Sequence, residues 1–162
     1  MFEYMGIKIT WLGHDGYKIK TEKTIYIDPF KTAGEEADII FITHDHFDHL
    51  DLESINKIAT PRTFIVAPTS CKSKFLDVTC KEIVLVGQEE KHEILGIEVQ
   101  TLPAYNTNKY REPGVFFHPR ESGGVSYLLK VSGVTIYHAG DTDPTPLMKG
   151  LKPDVAFIPV SG

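Results

Sequence analysis

The 162 residues of this chain suffice for one domain and leave little room for a second. Hydrophobic residues make up 41% of the chain, which is enough for one core, and charged residues make up 24%. The formal net charge of -5 argues against binding along a phosphate backbone, because Lys and Arg supply most of the affinity in that mode. We therefore expect one domain, residues 1–162, without a nucleic-acid partner.

Three features of the sequence bear on the cellular compartment of the protein. The N-terminal residues lack the basic segment, the apolar run and the small-residue cleavage site of a signal peptide. No stretch approaches the ~20 apolar residues that a membrane span needs. Cys71 and Cys80 lack a Cys-x-x-Cys spacing, so we expect reduced thiols rather than a disulfide or a zinc knuckle. These features favour a cytoplasmic protein.

The first half of the chain predicts short strands separated by Gly, Pro and polar turns. The predicted strands cover residues 7–12, 17–20, 24–27, 39–42 and 63–67. Residues 39–42 form a continuous apolar run, which is typical of a strand buried on both faces. Leu52, Ile55 and Ile58 recur at helical spacing and predict a helix, and residues 70–77 predict a shorter one.

The second half predicts strands at 82–86 and 94–102, on either side of Gly87, followed by a long loop at 104–124. Residues 125–131 and 134–138 predict a hairpin. Met148 and Leu151 predict a short helix, and residues 154–160 predict a last apolar strand. Strands interleaved with helices, and polar clusters at strand ends, indicate a mixed α/β sandwich with its site at one sheet edge.

The central motif is the heptapeptide Thr43-His44-Asp45-His46-Phe47-Asp48-His49, which follows the buried strand at 39–42. His44 and His46 alternate, so on an extended segment their imidazoles project to the same side. Asp48 and His49 come where the chain turns toward the helix. One loop can thus offer ligands to two neighbouring metal ions, although His and Asp side chains in a polar loop can also simply hydrogen-bond one another.

A second motif surrounds Asp141, which follows the predicted strand 134–138 and Gly140. A carboxylate at a sheet edge can bridge two metals and offset their charge. Gly-Asp-Thr alone is a common turn sequence. Beside the heptapeptide, we interpret Asp141 as a metal ligand.

Together these residues resemble the metallo-β-lactamase superfamily, whose His-x-His-x-Asp-His signature is here His44, His46, Asp48 and His49. More narrowly, the chain resembles the short microbial branch that includes ascorbate-6-phosphate lactonase-like proteins. That branch carries the motifs Trp11-Leu12-Gly13-His14, Ile27-Asp28-Pro29 and Tyr137-His138-Ala139-Gly140-Asp141-Thr142. The resemblance implies an αββα sandwich with a metal site at one edge of the paired sheets.

The chain departs from the family pattern at two places. Where the family has a third His ligand for the first metal, this chain has Asn106, and an amide is a poor zinc ligand beside imidazole. The nearest substitute is His118 on the long loop, which we predict to be the ligand. The family also continues with a helix, a strand and a final His after the position of Gly162, so the sequence reads as C-terminally truncated. If it ends there, the uncovered strand predicts a homo-oligomer.

Three further residues are candidates for the surroundings of the metals. His14 is expected to bind substrate or to support the ligands, and His138 is expected to orient Asp141. Asp28 is expected to hold a ligand His through its second ring nitrogen. Each of these residues could instead serve the local backbone alone.

The predicted chemistry is hydrolysis by two divalent metal ions, with Zn as the first expectation and Mn or Fe as alternatives. The metals would lower the pKa of a bridging water, Asp48 would orient the nucleophile, and Asn106 would assist at the developing oxyanion. The predicted substrate is a small ester, lactone or phosphoester. The alternatives are a nuclease of the same superfamily, which the acidic balance disfavours, and a non-catalytic metal-binding protein that has lost ligands.

Overall fold

The computed structural model describes residues 1–160, so the predicted end of the chain at Gly162 lies outside the described residues. The chain divides into two compact units, Met1–Val86 and Gly87–Gly162. Each unit is built on one large β-sheet. No helix in the described part of the chain is long and apolar enough to cross a membrane.

The sheet of the first unit has seven strands, which lie side by side in chain order. Strands β1 to β4 pair in antiparallel fashion, and β4 to β7 pair in parallel. The strands are β1 (Phe2–Tyr4), β2 (Ile7–Gly13), β3 (Gly16–Lys20), β4 (Thr24–Ile27), β5 (Ile39–Phe41), β6 (Phe64–Pro68) and β7 (Glu82–Val86). Because β4 and β5 are parallel, the residues that follow them emerge at the same edge of the sheet.

The core of the first unit explains why its strands are so apolar. All three residues of β5 are fully buried, as the continuous apolar run predicts. Helix α1 (Leu52–Ile58) adds Ile55 and Ile58 to the same core. Its N-cap, Asp51, accepts hydrogen bonds from the backbone of Glu53 and the hydroxyl of Ser54. Leu52 was expected on the buried face and is instead 37% exposed, because it begins the helix.

The second unit contains a five-stranded sheet in the order β14-β13-β12-β9-β8 and a separate two-stranded hairpin. The strands are β8 (Lys91–Ile94), β9 (Ile97–Pro103), β10 (Tyr110–Glu112), β11 (Val115–Phe116), β12 (Val125–Val131), β13 (Val134–His138) and β14 (Val155–Phe157). Strand β12 is antiparallel to both β9 and β13, so β9 and β13 end at the same edge. Leu102, Tyr137 and Ala139 pack there with Leu128, Met148 and Leu151.

The structure differs from the predicted elements at several places. The strand predicted at 94–102 is confirmed from residue 97 onward as β9, but its predicted start is wrong. Leu95 and Gly96, with φ of 50° and 78°, form a tight turn between antiparallel strands β8 and β9. The loop predicted at 104–124 contains the β10–β11 hairpin. The last strand is shorter than 154–160, strand β1 was missed, and both predicted short helices are 3-10 turns.

Candidate metal centre

The first group of site residues lies where β4 and β5 end, and one buried carboxylate organises it. Asp28 follows β4 and is fully buried. It accepts hydrogen bonds from the backbone N–H of Thr43 at 2.8 Å, from the Thr43 hydroxyl at 2.6 Å, and from Nδ1 of His49 at 2.8 Å. Three donors therefore converge on a single side chain that carries no donor of its own when ionised.

This network decides which nitrogen of each imidazole is available for a metal. Since the Asp28 carboxylate only accepts, Nδ1 of His49 carries the proton, and Nε2 has the lone pair. The hydroxyl proton of Thr43 is used on Asp28, so its oxygen accepts from Nδ1 of His44 at 2.9 Å. His44 thus also presents a lone pair on Nε2. A carboxylate or hydroxyl behind a ligand His is the usual way in which proteins orient metal-binding imidazoles.

Four imidazoles gather around this point. The ring centroids of His44 and His46 are 4.6 Å apart, those of His44 and His49 are 4.1 Å apart, and those of His14 and His49 are 5.2 Å apart. Nε2 of His14 lies 3.0 Å from Oδ2 of Asp48. His14, Asp48 and His49 each offer one donor atom, and these three atoms lie within 4.8 Å of one another. Such a group could hold a metal ion, so His14 reaches the donors themselves and not only their surroundings.

The backbone around the centre is held in uncommon conformations. His14 and Asp28 have φ of 52° and 44°, in the left-handed region that residues other than Gly rarely adopt. The indole N–H of Trp11 donates to the carbonyl of His14 at 2.9 Å. At Gly16, a Cβ would lie 2.9 Å from the carbonyl oxygen of Asp28. Backbone strain of this kind is commonly found at functional sites, where the surrounding structure maintains it.

The second group of site residues lies in the other unit, where β9 and β13 end. The buried side chain of Asn106 accepts through Oδ1 from the backbone N–H of His118 at 3.1 Å and from its Nδ1 at 2.9 Å. The lone pair of His118 is then on Nε2, which lies 3.4 Å from Oδ2 of Asp141. Two acceptor atoms at this distance suit a cation, either a proton or a metal ion, between them. Asn106 orients His118 in this arrangement.

The turn that carries Asp141 is fixed from two sides. Nδ1 of the fully buried His138 accepts from the backbone N–H of Gly140 at 3.2 Å. On the other side, the carboxylate of Asp143 accepts from the backbone N–H of Thr107 at 2.7 Å and of Asn108 at 3.2 Å. Burial tends to raise the pKa of Asp143, but these hydrogen bonds outweigh it and hold the pKa below its ordinary value.

Each predicted site residue therefore has a defined place. The first unit brings together His14, Asp28, His44, His46, Asp48 and His49, and the second brings together Asn106, His118, His138 and Asp141. Two contributors were not singled out from the sequence, namely Thr43 and Asp143. Thr43 begins the heptapeptide and Asp143 directly follows the second motif, and these positions were the only available signal. The donors are imidazole nitrogens and carboxylate oxygens, a set that suits Zn²⁺, Mn²⁺ or iron.

Known proteins resemble this chain in sequence and in fold. A sequence profile described as the beta-lactamase superfamily domain matches residues 8–162. A UPF0173 metal-dependent hydrolase of Methanoculleus marisnigri is 32% identical, with 96% of this chain and 69% of that protein covered. A second one, from Pyrococcus horikoshii, is 32% identical, with 96% of this chain and 73% of that protein covered.

A solved structure gives the same result. The crystal structure of a protein from Parabacteroides distasonis, provisionally assigned as a metal-dependent hydrolase, matches with a TM-score of 0.83 and 31% identity. The match covers 96% of this chain and 70% of that one. The chain therefore belongs to the beta-lactamase superfamily and, within it, to the UPF0173 metal-dependent hydrolases. The predicted resemblance and the αββα sandwich fold class are both confirmed.

Proposed function

We propose that the chain hydrolyses a small ester, lactone or phosphoester with the help of divalent metal ions. The observation that carries this proposal is the hydrogen-bond network of Asp28, because it fixes two imidazoles in the form that binds a metal. The relatives from Methanoculleus marisnigri and Pyrococcus horikoshii are named metal-dependent hydrolases, which supports metal-dependent hydrolysis without naming a substrate.

The proposed ligands are His44, His46, Asp48 and His49 in the first unit, and His118 and Asp141 in the second. The four donors of the first unit alone exceed the three protein ligands that a tetrahedral zinc ion with a position for water takes. We therefore propose two ions. Zinc is the first choice for imidazole with carboxylate, and manganese or iron accept the same donors.

When bound, such ions supply a hydroxide nucleophile near neutral pH and stabilise the negative charge that develops on the substrate. The chain supplies orientation and proton transfer. The side chains of His14 and Asp48 are 43% and 27% exposed, and their polar atoms lie 3.0 Å apart. This pair can hold a proton at Nε2 of His14 where a substrate has access. Asn106 keeps the ring of His118 turned so that its Nε2 faces Asp141.

Metal content and turnover test the proposal together. Elemental analysis of the purified chain is expected to find Zn, Mn or Fe, and hydrolysis of an activated phosphodiester, an activated ester or a lactone should disappear on chelation and return with metal. Asp48→Asn should lower turnover by about 100-fold or more. Asp45→Asn, a change at an exposed neighbour in the same loop, serves as the control and should have little effect. Metal binding without hydrolysis of any substrate, or hydrolysis that survives chelation, would contradict the proposal.

The third nitrogen ligand is tested by metal titration. His118→Ala is expected to lower metal affinity by about 10-fold or more. Asn106→Ala should reduce turnover more than metal content, because Asn106 orients the His118 ring rather than offering a good metal donor. If Asn106→Ala loses metal while His118→Ala binds it like the parent, Asn106 is the ligand.

A further inference from the structure

The second unit contains a cavity of about 340 Å³ beside His118 and Asp141. Its volume is near the lower end of the range for ligand pockets, so it suits one small molecule. The β10–β11 hairpin and the adjoining chain form one wall. Backbone hydrogen bonds from Asn106 to His118 and from Phe117 to Lys109 join the two sides of this wall. The cavity is therefore built on a paired segment rather than on an irregular loop.

The cation of the cavity is Lys109. Its side chain is partly buried and lines the cavity. Within residues 1–160 it forms no salt bridge, although its charge also acts on the carboxylate of Asp143. Arg111, two residues further along the hairpin, lies 3.9 Å from Glu112 and does not line the cavity. An ammonium group at the side of a partly enclosed pocket attracts an anion more strongly than one in open solvent.

The apolar part of the cavity consists of two exposed rings. Tyr110 and Phe117 are 52% and 49% exposed, and both line the cavity. The ring of Tyr110 stacks on Phe116 with centroids 4.6 Å apart, which fixes its position. Large apolar side chains left open beside a few convergent polar groups are the usual composition of a small-molecule site.

We propose that this cavity binds a small organic anion, with its carboxylate or phosphate on Lys109 and its apolar body against Phe117 and Tyr110. The polar end of the cavity, at Asn106, His118 and Asp141, then receives the group that is hydrolysed. The inference rests on the proposed function, because that function makes this end of the cavity the reacting end. It names the substrate class as a small monoanion or dianion with an apolar portion.

Calorimetric titration of the full metal-loaded chain tests the inference, with phenyl phosphate and benzoate as probes and the same titrations repeated after chelation. Inorganic phosphate supplies the charge alone, and benzyl alcohol supplies the ring alone. Both are expected to bind at least about 10-fold more weakly than phenyl phosphate to the chelated chain. A preference for phenyl phosphate over benzoate, or the reverse, identifies the anionic group.

The variants separate a local contact from general charge. Lys109→Met is expected to lower the affinity for phenyl phosphate by about 10-fold, and Lys109→Arg should restore it to within about threefold. Arg111→Met makes the same change of charge on the same hairpin and should alter the affinity by less than about twofold. Phe117→Ala should lower the affinity for phenyl phosphate while leaving the affinity for inorganic phosphate unchanged.

Two results would overturn the inference. The first is an equal loss of affinity for phenyl phosphate in Lys109→Met and Arg111→Met. The second is an unchanged affinity in Lys109→Met when circular dichroism shows that this variant is folded. If metal-dependent hydrolysis persists in that case, the proposed function stands without the inference. If the chain holds no metal but still binds phenyl phosphate through Lys109, the inference about the cavity stands and the proposed function fails.

Discussion

At the scale of single residues, the direction of the metal-binding nitrogens depends on a hydroxyl group. Thr43 donates to Asp28 and accepts from His44, so its hydroxyl links the buried carboxylate to the imidazole of His44. Without that hydroxyl, Nδ1 of His44 has lost its acceptor, and the ring can take the other tautomer or another rotamer.

We therefore predict that Thr43→Val lowers metal affinity by about 10-fold, because the lone pair on Nε2 of His44 is no longer enforced. Thr43→Ser keeps the hydroxyl and should bind metal within about threefold of the parent. Metal titration with a competing chelator measures both variants. If Thr43→Val and Thr43→Ser are both folded and bind metal with equal affinity, the hydroxyl does not control the tautomer of His44.

The sequence was sufficient to predict the ligand candidates, because they are concentrated in short motifs. His44, His46, Asp48 and His49 lie within six positions, and their residue types already define the chemistry. The supporting contacts were not predictable in the same way. Asp143 accepts from Thr107 and Asn108, which are 36 and 35 positions away, so its role depends on how distant segments meet.

At the scale of elements, the short 3-10 segment Thr69–Phe75 is anchored in the core of the first unit by Cys71 and Phe75. Burial, with a contribution from the charge of Asp45, raises the pKa of the Cys71 thiol to about 12. The folded state therefore favours the protonated thiol. The contribution of the buried thiol to the free energy of unfolding is complete below the unfolded-state pKa of about 8.5, and it is lost as the pH rises toward 12.

We predict that Cys71→Ala flattens the alkaline loss of stability. The parent should lose up to about 1.4 kcal/mol of unfolding free energy per pH unit above pH 9 from this group, and the variant should not. Denaturant unfolding of both proteins at pH 7 to pH 10 measures the difference. Cys80→Ala, at a partly exposed thiol, is the control and should change the slope less. Parallel curves for parent and Cys71→Ala would contradict the assignment.

The elements that the sequence predicted well are those with a clear apolar pattern. Strands β4 and β7 have the predicted boundaries, and helix α1 lies where the helical spacing of Leu52, Ile55 and Ile58 predicts it. The β10–β11 hairpin was missed because all three residues of β10 are exposed and show no such pattern. The turn at Leu95 was missed because apolar residues continue on both sides of it.

At the scale of the whole molecule, 22 acidic residues outnumber 17 basic ones. We predict that a labelled single-stranded RNA of about 20 nucleotides binds more weakly than about 100 µM at about 150 mM salt, because few phosphates can be neutralised. Fluorescence anisotropy across a salt series measures this. Tight binding with a steep salt dependence would instead support a nuclease.

The family was recognisable from the sequence, whereas the substrate was not. Four motifs in a fixed order indicate the superfamily, and the relatives confirm it over 96% of the chain. The cavity beside Asp141 is lined by residues from Asn106 to Pro159, and its size depends on how the β10–β11 hairpin folds. A shape that depends on packing between distant residues cannot be obtained from residue types and spacings.

Gly16 shows that a residue without a functional group can be as intolerant of mutation as a ligand. Because Gly16 has no side chain, there is room beside it for the carbonyl oxygen of Asp28. A Cβ at position 16 would lie 2.9 Å from that oxygen, and a backbone carbonyl cannot rotate away as the end of a side chain can. In a saturation screen for activity, position 16 should therefore group with His49 rather than with the exposed turns. A search for catalytic residues by chemical type would pass over it.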